Sequence, residues 1–142
     1  MTYSINPSTL FASAEKEISR FAATAYSEDG ASLYDAYKVL DRDKATIEGY
    51  INEAVDAICV RLFDVATKST DSITFDVPDY DPSMGETITR ELDKYVVMKA
   101  CAFWLEDKGA PEYVRFEKRA SAALDNAHLM IKSRKAPKRS NT

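Results

Sequence analysis

Three groups of residues have types and spacings that could support chemistry. The first is "FDVPDYDPSMGE", Phe75 to Glu86, where Asp76, Asp79, Asp81 and Glu86 surround Pro78 and Pro82. Carboxylates at that density suit a hard cation. A calcium loop of the EF-hand type wants alternating oxygen ligands, with a glycine at the sixth place and a glutamate at the twelfth. Asp79 and Asp81 match two of those places, but Pro82, between Asp81 and Ser83, is a poor guest in such a loop. The other account is a turn before a helix: Asp81-Pro82 and Gly85 have turn chemistry, and acidic residues are stabilising near the positive N-terminal end of a helix without any ligand. The turn is the preferred reading. No metal is expected, and Asp76, Asp79, Tyr80 and Asp81 become a candidate interface loop.

The second group is cationic. From Lys132 onward the chain carries Lys132, Arg134, Lys135, Lys138 and Arg139 and no acidic residue; removing those five from the net charge of -4 leaves -9 on the rest. An acidic body therefore continues into a basic tail. The tail has two readings. It is a flexible, solubilising end, or its cations meet phosphates or an acidic protein surface, with the salt dependence that counterion release imposes. Pro137 blocks a simple helical continuation. With no aromatic residue interleaved to stack on bases, sequence-specific reading of nucleic acid is not expected.

The third group is His128 with Asp125 one turn before it, a spacing that permits a local hydrogen bond. A lone histidine beside an apolar stripe reads as structural. No serine or cysteine stands in a nucleophile elbow, and no glycine-rich loop precedes a helix to cradle phosphate. Glu91, Asp107, Glu112 and Glu117 read as solvated helix charges. Cys59 and Cys101 form no CxxC pair, so two buried thiols are expected rather than a disulfide or zinc site. Neither an enzyme nor a cofactor is expected.

The elements that position these groups are helical. At 142 residues, 45% hydrophobic and 30% charged, the chain can build a single core. A first helix is predicted from Ser8 to Tyr26, with Leu10, Phe11, Ala14, Ile18, Phe21, Ala22 and Ala25 in one stripe and Pro7 near its first turn. The segment from Tyr26 to Asp43 fits neither period and reads as a connection with a short helix or strand. Asp43 is positioned to cap a second helix, Lys44 to Thr67, whose apolar stripe runs from Ile47 to Val65; Glu48, Asn52, Glu53, Asp56 and Arg61 face solvent or a partner. "SITFDV" alternates Ile73, Phe75 and Val77 with polar residues, a half-buried strand that Pro78 ends. A third helix, Glu86 to Asp107, is apolar nearly all round and should lie between others. Lys108-Gly109-Ala110-Pro111 stops it and starts a fourth, Pro111 to Ser133, closing a helical hairpin.

The expected fold is mainly α: a bundle of about four helices with a short β element between helices two and three, in one domain over 1–133 and a basic tail over 134–142. "YVVMKACAFWL" is about half the roughly 20 residues that cross a bilayer, so no membrane span is expected. "MTYSINPSTLFASAEKE" lacks a basic start followed by an apolar run, so no export signal is expected.

The order of amphipathic helix, long second helix, "SITFDVPDYD" strand and turn, then the hairpin "ITRELDKYVVMKACAFWLEDKGAPEYVRFEKRASAALDNAHLMIKSRKAP", resembles the small helical head-tail connector proteins of tailed bacteriophages, together with virion proteins of phages and prophages from intestinal bacteria. The likeness covers the chain from about Ile47 to Pro137; the segment from Tyr26 to Asp43 departs from the family's pattern. The resemblance implies a non-enzymatic protomer of a ring below the portal and around the DNA channel, with portal and tail or neck proteins as partners. It implies a place in the virion neck after assembly in the host cytoplasm, with non-specific contact to packaged DNA. A tail-completion or tail-terminator protein, or a host-side helical module binding protein or nucleic acid, are the alternatives.

Overall fold

The computed structural model describes residues 1–78 and 80–133. It is mainly helical, with a small three-stranded sheet. The elements are β1 (Thr2–Ser4), α1 (Pro7–Thr24), α2 (Tyr34–Tyr37), α3 (Lys44–Arg61), β2 (Ala66–Lys68), β3 (Ser72–Phe75), α4 (Gly85–Asp107) and α5 (Tyr113–Lys132), with single 3-10 turns at Asp41–Asp43 and Pro82–Met84. The expected β element lies between the helices at 44–61 and 85–107. These are the third and fourth helices because α2 takes the second place.

Local chemistry sets most boundaries. Asn6 caps α1, its side chain accepting from the Thr9 amide at 3.3 Å, and Pro7 occupies the first helical turn. Gly109, at φ +75°, ends α4. Its amide donates to the Glu106 carbonyl at 3.0 Å and the Ala110 amide to the Leu105 carbonyl at 2.9 Å, the paired bonds of a Schellman motif. Buried Ala110 then packs with the core beside Leu105. α5 starts at Tyr113 rather than Pro111, because the bond from the Tyr113 amide to the Ala110 carbonyl first closes a turn.

Two expectations about the second long helix are corrected. α3 ends at Arg61, not Thr67: the chain turns at Leu62, and Val65 already takes up strand pairing, its carbonyl accepting from the Asp76 amide at 2.9 Å. The stretch from Val65 to Lys68 is thus used by the sheet. Asp43 occupies the N-cap position of α3 as expected, but its side chain makes no capping bond; its carboxylate instead accepts from the Leu40 amide at 2.9 Å, fixing the 3-10 turn before the helix.

β3 is the centre of the antiparallel sheet, in the order β1-β3-β2, with Tyr3 opposite Ile73 and Lys68 opposite Ile73 on the other side. Ile73 and Phe75 point into the core as the alternation predicted, and the strand stops before Val77. β1 was absent from the sequence expectations. Tyr3 anchors it: the ring is wholly buried, and its hydroxyl donates to the Asp93 carboxylate on α4 at 2.7 Å.

α4 is the central element. Ile88, Leu92, Val96, Trp104 and Leu105 are all buried, each contributing about 1.5–3 kcal/mol by leaving water. Its most extensive contact is with α5, where Ala120, Ala123 and Ala127 present small side chains that permit close approach. Buried side chains of β1, α1, α3, β3, α4 and α5 join in one cluster. Among the described residues, no helix is long and apolar enough to cross a membrane.

Candidate functional site

The groups singled out by their chemistry converge on one end of the bundle. α3 delivers Arg61 and, past its end, Phe63 and Asp64; the last turns of α5 deliver Asp125, His128, Leu129 and Lys132. Arg61 bridges the two helices. Its Nη2 donates to Asp125 Oδ1 at 2.5 Å and its Nε to His128 Nδ1 at 3.0 Å. One turn on, Lys132 Nζ donates to Asp64. That contact holds the Asp64 carboxyl below the usual carboxylate range, with the charges of Lys132 and His128 adding to the effect.

Between these pairs lies a shallow groove of about 510 Å³ lined by Arg61, Asp125, His128, Leu129 and Lys132. The pairs are solvent-exposed and screened by water and salt, so they contribute little stability. Three large apolar side chains on these elements are exposed: Leu129, which lines the groove, at 70%, and Phe63 and Val60, next in sequence to Asp64 and Arg61, at 81% and 74%. A large apolar side chain left in water gains nothing in the isolated chain, and a cluster of them marks a contact surface.

The acidic turn sits at this end as well. The Asp76 amide bonds to Val65, one residue past Asp64, so the exit of β3 lies beside the start of β2. Asp81 Oδ1 accepts from the Ser83 amide at 3.0 Å and the Ser83 hydroxyl at 2.8 Å, capping the 3-10 turn that leads into α4. This is the turn role the sequence assigned to it. The Tyr80 hydroxyl is buried without a hydrogen-bond partner among the described residues, 3.5 Å from where a Cβ on Gly85 would stand. Among the described residues, no group of three or more histidine, cysteine, aspartate or glutamate side chains is arranged to hold a metal ion.

Of the candidate contact residues, Lys132, Asp76, Tyr80 and Asp81 are thus brought to one end of the molecule. Asp79, Arg134, Lys135, Lys138 and Arg139 lie outside the described residues. Several charge expectations are corrected by tertiary partners. Asp125 and His128 meet through Arg61 rather than through each other. Glu117 is not a solvated helix charge, since Lys99 Nζ donates to both its oxygens at 2.8 and 2.9 Å while lying 4.9 Å from the Phe103 ring centroid. One Glu91 oxygen is buried with no partner among the described residues. Cys101 is buried as expected, but Cys59 is only half-buried; both are free thiols.

Sequence reasoning missed Arg61, Phe63 and Asp64 as a group, because a helix drawn to Thr67 scatters them around its surface. The one available signal was the strand-like composition of "VATKS", which would have ended the helix earlier. Comparison with protein-family models, with curated proteins and with solved structures gives no match.

Proposed function

We propose that this chain is a non-enzymatic structural protein of a tailed-phage virion, a protomer of a head-tail connector ring that joins the portal to the tail around the DNA channel. The observation that carries the reading is the gathering, at one end of the bundle, of three contact features: exposed Phe63 and Leu129, the acidic turn at Asp76, Tyr80 and Asp81, and the end of α5 from which the basic sequence continues. These features suit protein contact better than chemistry. The groove is shallow, its charges are already paired across α3 and α5, and the resemblance of the chain from Ile47 to Pro137 points to the same role.

On this reading the partners are other copies of the chain in a ring, the portal on one side and tail or neck proteins on the other. Lys132 is held by Asp64. Contact with packaged DNA therefore falls to Arg134, Lys135, Lys138 and Arg139, acting on phosphates without reading sequence. No cofactor or metal is required. The protein resides in the virion neck and reaches it from the host cytoplasm during assembly.

Deleting the gene from the phage or prophage that encodes it tests this. A connector's loss leaves DNA-filled heads and finished tails as separate particles, and complementation rejoins them. Normal joined particles from the deletion strain overturn the proposal.

A further inference from the structure

Charge on α5 sorts by partner. Its acids are taken by other helices: Glu117 accepts from Lys99 of α4, and Asp125 from Arg61 of α3. Lys132, in the last turn, is held by Asp64. Arg115, Lys118 and Arg119 are left, all exposed within the first two turns, and none of them forms an ion pair among the described residues. Glu112, at the N-cap, does not engage Arg115, and on α1 alongside, Glu17 and Arg20 pair with each other at 3.2 Å. Like charges three and four residues apart on a helix repel, so the chain alone gains no stability from gathering these cations. They stand out further because the chain as a whole is acidic, with a net charge of -4.

Two of the three are held in place. Arg115 Cζ lies 5.5 Å from the Phe116 ring centroid and 5.9 Å from that of Phe21 on α1, and Arg119 Cζ lies 6.0 Å from Phe116. Both rings are buried, so each guanidinium sits against an aromatic surface while its exposed side keeps N–H groups for an anionic acceptor. Little side-chain ordering is left to be lost when that acceptor binds.

The neighbouring side chains select the kind of anion. Ser121 and Ala122 continue the exposed face, and Val114, at 44%, is the one large apolar side chain exposed in this half of the helix. A protein partner is held through a desolvated apolar or aromatic centre, which such a face lacks. A phosphate backbone asks for guanidinium, ammonium and hydroxyl donors, the set that Arg115, Lys118, Arg119 and Ser121 supply over about 9 Å of helix. Phe21 and Phe116 are buried beneath the guanidiniums, so no platform is offered on which the bases of a single strand could stack.

We propose that the cationic face of α5, formed by Arg115, Lys118 and Arg119, is a sequence-independent contact for the phosphate backbone of duplex DNA. This rests on the connector reading for the source of the DNA, and it turns the first half of α5 toward the channel. Phosphate contact is then shared between the basic tail and the folded body of the chain.

Full-length protein titrated into a fluorescent mixed-sequence duplex of about 24 base pairs, with anisotropy read between about 50 and 200 mM salt, tests this. The slope of log affinity against log salt should fall by about 0.9 for each phosphate contact removed. Lys118→Gln has no ion pair to lose, so it should flatten the slope by about 0.9 with circular dichroism unchanged. Lys118→Gln/Arg119→Gln should flatten it by about 1.8 and weaken binding about tenfold or more at low salt. Lys44→Gln/Lys68→Gln removes as many cations from α3 and β2 and should keep the wild-type slope. Glutamine at Arg134, Lys135, Lys138 and Arg139 together should leave measurable binding at low salt, which Lys118→Gln/Arg119→Gln then removes.

Five results overturn the inference: wild-type protein that does not bind the duplex at low salt, α5 variants with the wild-type slope, an α3 and β2 variant that flattens it equally, no binding once the tail is neutralised, or polyglutamate that displaces the labelled duplex as well as unlabelled DNA of equal charge. The fourth would give the contact to the tail alone, and the last would assign the face to an acidic protein. All are read on purified protein and are separable from the connector reading, which stands or falls on the unjoined heads and tails of the deletion strain.

Discussion

Replacing Trp104 by Phe probes how the connection between α1 and α3 is held. Trp104 is 1% exposed, and its indole nitrogen makes the one hydrogen bond that ties α4 to the Tyr37 carbonyl, at 2.8 Å. Phenylalanine keeps an aromatic ring against the core but has no donor, so the partly buried carbonyl is left without its partner at a cost of about 1–3 kcal/mol. The contact with Lys108, whose nitrogen lies 4.5 Å from the indole centroid, weakens too, by at most about 0.5–1 kcal/mol at so exposed a site. The two together give roughly 1.5–4 kcal/mol at the anchor. The loss should be local as well as global. In urea, with a slope of about 2 kcal/mol per M for a domain of this size, the midpoint should fall by about 0.7–2 M. Amide exchange in residues 25–40 should accelerate more than exchange in α5. If stability falls while the connection keeps its wild-type protection relative to α5, the hydrogen bond is not what holds the segment.

Two glycines with open space around their α-carbons should respond with opposite signs. Gly109→Ala forces a side chain into φ +75° and should cost about 1–2 kcal/mol, whereas Gly49→Ala, on the exposed face of α3, should stabilise by up to about 1 kcal/mol; urea midpoints moving the same way would refute this. Burial, reinforced by the charge of Glu17, pushes the Cys101 thiol up to about 12. Below about pH 9 the thiol is protonated in both folded and unfolded chains, so its contribution is complete. Between pH 9 and 12 only the unfolded chain ionises, and stability should fall by up to about 1.4 kcal/mol per pH unit. Tyr3, raised by burial and by its bond to Asp93, adds in the same direction. Cys101→Ala should flatten the alkaline loss seen in urea midpoints between pH 8 and 10.5, and an unchanged slope would contradict the assignment.

The parts of the fold legible in the sequence are those whose signals are local. α1, α4 and α5 announce themselves through stripes at three- and four-residue spacing, and Gly109 marks the hairpin because only a left-handed residue completes its Schellman bonds. What was hidden is non-local. β1 is three residues long, too short for any period to show, and its pairing partner is about seventy residues away. The end of α3 was masked because Leu62 and Val65 continue a helical stripe, although the sheet claims the chain there. The groove is hidden for the same reason: no spacing rule connects Arg61 with Asp125 and His128, or Asp64 with Lys132, until α3 and α5 are packed side by side. The acidic turn was readable because Asp81 and Ser83 satisfy one another within two residues.

The connector assignment is tested most directly by locating the chain in the particle. Gold-labelled antibody raised against the protein should bind intact or gently opened virions at the junction of head and tail, and an averaged neck density should contain the α4–α5 hairpin repeated around the DNA channel. Label confined to the tail would place the protein in tail completion, and its absence from both intact and opened particles would contradict a virion role altogether.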